Sequence, residues 1–328
     1  MTARHALVLA AALALPAPAS AFLFFGGPAD AKAAGLLSGM SDAFGRGDCP
    51  AVLDLGASFF AEKPSSALRE EAYGYMGRCY ESSGSVDKAI GLYKVALGLY
   101  PDNGLFAYRL ALIYNQTGFP ANAVPLFSSV LKGAPGDAGA NLGLARAYAA
   151  LGFLTKAGDY YSRAVILQDF RDADALGEYA RCMLRKRDWD EALFIAGKGE
   201  QAAPGLPDWP DVEAAVRAGE GDYYRAVQAM DEALRRAPSR EFRLRRALYL
   251  LLGGLPHRAM DAADAELAAS PRDPLASMVK AMSLYSLGRA PEAAPYFEAA
   301  RGGGPFTSAL AASFLKVRAA KPEDACKK

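Results

Sequence analysis

Between Glu70 and Asn103 the apolar positions follow a helical period. Tyr73, Met76, Gly77 and Tyr80 recur at steps of three and four, which is one face of an α-helix. Gly84 ends that helix, because a residue free to take the left-handed conformation suits a C-terminal cap. Asp87 opens a second helix or lies in its first turn, where an acid complements the helix dipole. Ala89, Tyr93 and Ala96 form the buried face of that helix. Pro101 stops it, since the residue before a proline avoids helical angles. The segment reads as a helical hairpin with a short turn.

The hairpin repeats. A glycine column falls at Gly47, Gly84, Gly118, Gly152, Gly221, Gly254 and Gly288, with Arg187 once in its place. Seventeen residues after each stands Pro64, Pro101, Pro135, Pro204, Pro238, Pro271 or Pro305, with Asp169 once in place of proline. The two columns advance in lockstep by 33 to 37 residues, so one unit is copied eight times. Small residues travel with them, such as Gly77, Ala111 and Ala145 before the glycine and Ala89, Ala123 and Ala157 after it. Facing small side chains let two helix axes approach closely. Tyr80, Tyr114, Tyr93 and Phe127 fill the gaps beside them. Two copies depart from the pattern. The first, about residues 30–64, puts Met40 and Val52 in the small columns, which predicts loose packing. The seventh puts Glu266 where Ala96, Ala164 and Ala233 stand elsewhere, which predicts a rotated helix or an exposed junction. Residues 307–320 predict a last helix that covers the open face of the array.

These columns resemble the tetratricopeptide repeat over roughly residues 30–305. The resemblance implies an all-α, right-handed α-solenoid of about eight helical hairpins plus a C-terminal capping helix. It further implies that first helices line a concave groove for peptides or protein segments. Family groove positions stand 13, 10, 6 and 3 residues before the glycine column. On this chain that mapping implies a polar N-terminal half, with Arg78, Arg146 and Arg181 around Tyr108 and Asn115. It implies an apolar C-terminal half with Leu244, Leu248, Leu251, Met278, Met282 and Tyr285. Arginine suits bidentate carboxylate recognition, and methionine adapts to varied partners. The alternative is that the arginines pair with nearby acids and that the leucines and methionines are core. The Lys/Asn set of chaperone-binding carboxylate clamps is absent from these positions. Six arginines between Arg235 and Arg246 crowd around Pro238, as an anionic-partner site or as a solvated helix end.

The ends of the chain bear on location. Residues 6–15 read ALVLAAALAL, and Ala19 and Ala21 form an A-x-A cleavage pattern. Residues 1–21 are thus expected to be a secretory signal, 22–320 one solenoid domain and 321–328 a flexible tail. The rival reading is an uncleaved anchor, because Phe22 to Phe25 prolongs the apolar stretch. Against it, Pro16 and Pro18 interrupt that stretch, and a bilayer needs about 20 apolar residues. The expected location is therefore periplasmic or secreted, with no transmembrane segment after cleavage.

An oxidising compartment gives the cysteines meaning. In stacked hairpins Cys49, at the start of a second helix, comes level with Cys79 on the next first helix. A Cys49–Cys79 disulfide is expected, with two buried thiols as the alternative. Cys182 shares the place of Cys79 but faces Leu154 in the partner column, so it is expected to be a buried free thiol. Cys326 in the tail is either free or paired with another chain.

Composition excludes more than it assigns. Without Arg4, which leaves with the signal, 36 basic residues balance 36 acidic ones. A nucleic-acid binder would carry a basic excess. The one histidine of the mature chain, His257, lies in a turn and cannot build a metal site alone. No phosphate-cradling loop or nucleophile elbow is present, so no catalytic, cofactor or metal residue is named and no enzyme is expected. The expected role is a non-enzymatic protein-binding scaffold of the cell envelope. The alternative is a scaffold for envelope polysaccharide or peptidoglycan, touching it through Tyr108, Tyr285 and the arginines.

Overall fold

A computed structural model describes residues 28–319. The expected signal sequence, the apolar stretch from Phe22 to Phe25, the 321–328 tail and Cys326 lie outside the described residues. The fold is all-α, with seventeen helices and no strand among the described residues. The chain divides into two compact units, Met1–Ile113 and Tyr114–Lys328.

The first unit holds α1 (Pro28–Gly45), α2 (Cys49–Ala61), α3 (Ser66–Ser82) and α4 (Val86–Leu99). Helix α5 (Gly104–Gln116) runs across the boundary in sequence. Leu37, Met40, Val52, Phe59 and Cys79 share the first core. Met40 and Val52 are completely buried, which corrects the expectation of loose packing. The close approach has moved to Gly56, where an added Cβ would lie 2.6 Å from the Met76 sulfur. Gly77 does the expected job in the next hairpin, where an added Cβ would lie 2.5 Å from the Tyr93 ring. A disulfide joins Cys49 to Cys79, with Cα atoms 5.1 Å apart, and so clamps α2 to α3.

The second unit continues with α6 (Pro120–Gly133), α7 (Ala138–Ala150), α8 (Leu154–Leu167), α9 (Ala173–Lys186), α10 (Trp189–Ala202) and α11 (Asp208–Gly219). It ends with α12 (Tyr223–Arg236), α13 (Arg240–Leu252), α14 (Pro256–Ala269), α15 (Pro274–Ser286), α16 (Ala290–Ala300) and α17 (Pro305–Ala319). Each hairpin packs on the next, the stacking of an α-solenoid. Cys182 is a buried free thiol, and its Sγ lies 3.8 Å from the Leu154 carbonyl oxygen, as its column position predicts. Burial raises the pKa of that thiol above the usual value.

One turn recurs through both units. Every glycine of the column has positive φ, and Arg187 adopts the same left-handed conformation at φ 64°. The next residue's N–H then reaches back to a carbonyl five positions earlier, as from Ser85 to Tyr80 (2.9 Å) and from Asp188 to Met183 (3.0 Å). This capping geometry satisfies carbonyls that a helix end would leave unpaired. It explains why glycine marks the column.

Glu266 is neither on a rotated helix nor at an exposed junction. It is only 7% exposed and shares a face with Ala259 and Ala263. Both its carboxylate oxygens accept hydrogen bonds from Arg243 of α13, the Nη2–Oε2 bond being 3.3 Å. The final helix covers the last hairpin, with Phe314 stacked on Phe297 at 4.8 Å. It starts two residues before the predicted position, because Pro305 opens α17, where a missing N–H costs nothing.

Candidate partner-binding site

An apolar trough of about 660 Å³ lies between α13, α15 and α17 of the second unit. Helix α13 contributes Leu244 and Leu248, α15 contributes Leu275, Met278, Val279 and Met282, and α17 contributes Thr307 and Leu310. Arg240, Glu241 and Arg245 from the first turns of α13 complete the lining. Four residues expected from the apolar half, Leu244, Leu248, Met278 and Met282, are thus brought together. They converge because α13 and α15 are first helices of successive hairpins, and residues spaced by three and four share one helix face. Leu275 leaves 51% of its surface open, whereas Leu244 and Met278 are largely buried in the trough floor.

The other two expected apolar residues sit apart from the lining. Leu251 is buried in a core cluster with Ala247, Ala259 and Val279. Tyr285 packs its ring edge-on against Phe314 at 5.2 Å. Thr307 and Leu310 were not anticipated. Helix α17 is expected as a cover and does pack on α16, but it also meets α15, so Thr307 and Leu310 continue the lining of the trough.

The polar positions of the second unit are already occupied by partners from neighbouring hairpins. Arg146 donates to both oxygens of Glu178 at 2.7 and 2.9 Å, and that hydrogen bonding holds its guanidinium pKa above the usual value. Tyr161 donates to the same carboxylate at 3.3 Å. Arg181 lies 3.6 Å from Asp208. Asn115 donates to the Gly143 carbonyl at 2.7 Å. Arg245 pairs with Asp211 of α11, and Arg240 pairs with Asp273 at the start of α15. An ion-pair ladder therefore runs along the first helices from α7 to α15. In the first unit, Arg78 lies over the Phe44 ring at 4.5 Å, and Tyr108 is half-buried.

The same pairing accounts for the rest of the arginine run. Arg235 and Arg236 pair with Glu232, Arg236 also with Glu200, and Arg246 with Asp231. The run is a belt of intramolecular ion pairs, some within α12 or the α13–α14 hairpin and others between neighbouring hairpins. Among the described residues, no group of three or more His, Cys, Asp or Glu side chains is placed to hold a metal.

Comparison with known proteins agrees with this geometry. A family model for the tetratricopeptide repeat matches residues 108–171, 213–274 and 256–307. The chain is 26% identical over 184 residues to the tetratricopeptide repeat and J domain-containing co-chaperone DNJ1 of Fusarium oxysporum f. sp. lycopersici. That alignment covers 54% of this chain and 34% of the co-chaperone, so the chain spans about a third of the length of the curated relative it matches. A tetratricopeptide repeat protein from Parabacteroides merdae superposes with a TM-score of 0.61 at 18% identity, over 75% of this chain and 97% of that one. YrrB, a TPR protein with an unusual peptide-binding site, superposes with a TM-score of 0.49 at 20% identity, over 52% of this chain and 88% of its own.

Proposed function

We propose that this chain, which belongs to the tetratricopeptide-repeat family, is a non-enzymatic scaffold of the cell envelope that holds a segment of a partner protein in the α13–α15–α17 trough. The observation that carries the reading is the trough itself. A half-open concavity of about 660 Å³, lined mainly by leucine and methionine, is the kind of surface on which apolar anchors of a partner gain most. The ion-pair ladder beside it contributes to register and selectivity rather than raw affinity, since exposed pairs are worth about 0–1 kcal/mol each. A trough whose lining holds no aromatic ring lacks the stacking surface that suits a sugar, which favours a protein ligand over a glycan.

Export is part of the proposal. It rests on the signal-like N-terminus and on the Cys49–Cys79 disulfide, a bond that persists in oxidising compartments. Among the described residues no helix is long and apolar enough to cross a membrane. The test is capture from envelope extracts with three baits: the unaltered chain, Leu275→Glu, and the double change Arg146→Glu with Arg181→Glu. A partner held in the trough is lost with Leu275→Glu and retained, weakened, with the double change. A partner retained by Leu275→Glu and lost with the double change would move the site to the polar positions.

A further inference from the structure

The trough selects the conformation of what it binds. We propose that its occupant is an amphipathic α-helix of the partner, with large aliphatic side chains at positions i, i+3 or i+4, and i+7, and a basic residue on the flank that meets Glu241. This rests on the partner-binding reading above and narrows it.

Three observations lead there. First, the lining offers a ligand few hydrogen-bond partners. Its floor and walls are aliphatic, Arg240 is engaged by Asp273, Arg245 by Asp211, and Thr307 is buried. An extended segment laid along this floor would trade water for nothing at its backbone N–H and C=O groups, and each unsatisfied group counts against binding. A helix pairs those groups internally and presents only side chains.

Second, the lengths match. From Glu241 through Leu244 to Leu248 the lining runs seven residue steps along α13, a rise of about 10 Å. An incoming helix spans the same distance from i to i+7, so its stripe and the trough run out together.

Third, the most exposed charge of the rim is an acid, Glu241. The Glu241 side chain is 76% exposed, and Arg245 donates to it at 2.5 Å from within the same helix. Arg240 is half-exposed and engaged by Asp273, and Arg245 is engaged by Asp211. A lysine or arginine beside the partner's apolar stripe complements this carboxylate, and electrostatic complementarity of this kind sets specificity.

The experiment pans two displayed peptide libraries against the full chain. One library presents a stable helix with a randomised face. The other presents linear peptides with a central proline that forbids a helix. Enriched clones are then titrated against the unaltered chain, Leu275→Glu and Glu241→Lys, with helical content and thermal unfolding checked for each variant. Leu275 is half-exposed, so its replacement leaves the core intact.

The expected result is enrichment from the helical library, with a basic residue beside the apolar stripe. Leu275→Glu weakens those clones by at least about tenfold. Glu241→Lys weakens them less, and a clone with glutamate in place of its basic residue then prefers the Glu241→Lys chain. Trough-dependent clones from the proline library alone would overturn the helix inference and leave partner binding standing. If no clone from either library responds to Leu275→Glu, both readings fail. Self-association of the chain, or binding of a dodecanoyl probe, that is lost with Leu275→Glu and accompanied by no peptide enrichment would also overturn the proposal.

Discussion

Arg243 and Glu266 show what one irregular residue demands of its neighbours. The repeat places alanine at Glu266's position elsewhere, as at Ala96, Ala164 and Ala233. A carboxylate buried there survives only with a hydrogen-bonded countercharge, which Arg243 supplies. Removing Arg243 strands that charge, so Arg243→Ala is expected to destabilise the fold by about 2 kcal/mol. This sits below the usual 3–5 kcal/mol for breaking a buried pair because Arg243 is half-exposed. Glu266→Ala restores the small residue of the repeat and should fall within about 1 kcal/mol of neutral. In the double change the arginine loss should cost little, and urea denaturation of the four proteins measures this as a cycle. An Arg243→Ala chain as stable as the parent would show that the ion pair is not what permits Glu266. The break in the alanine column was legible in the sequence. The partner was not, because Arg243 lies 23 residues away among five other arginines, and only the packing of α13 on α14 singles it out. Cys182 was legible because its column partner is Leu154, which offers no second sulfur.

At the scale of elements, the turns were the most legible feature, since a left-handed residue is needed at every first-helix end and glycine adopts that conformation freely. Arg187 kept the geometry without the glycine, so the chain's periodic interruption was in composition and not in structure. The first hairpin was misjudged because the small-residue columns were treated as fixed. The close approach had moved to Gly56, and Met40 and Val52 fill the space that alanines leave in other copies. The clamp between α2 and α3 was legible from the column positions of the two cysteines in stacked hairpins together with the expected export, and it closes a loop of 30 residues. Replacing Cys49 and Cys79 by serine is expected to destabilise this region by about 2–4 kcal/mol. The check is amide hydrogen exchange, in which α1 to α3 should exchange faster than in the oxidised parent. Unchanged protection in those helices would mean that the hairpin is held by packing alone.

At the scale of the molecule, the repeat delivered the apolar face but not its boundary. Leu244, Leu248, Met278 and Met282 line one trough because α13 and α15 keep the period. Thr307 and Leu310 were missed because the groove positions are counted back from a column glycine, and none follows α17 in the sequence. The acids that pair with Arg146 and Arg181 were not legible, because they come from the next hairpin about 30 residues away, beyond what one helix face reveals. The central claim is that the trough, and not another surface, meets the partner. It is tested most directly by placing the photo-crosslinking residue p-benzoylphenylalanine at position 275 in cells that express the protein. Phe153, an exposed aromatic at the α7–α8 turn, is the control position. We predict a discrete protein adduct from position 275 that is absent from position 153 and disappears when Met278→Glu is added. No adduct at position 275, or the same adducts from both positions, would contradict the account.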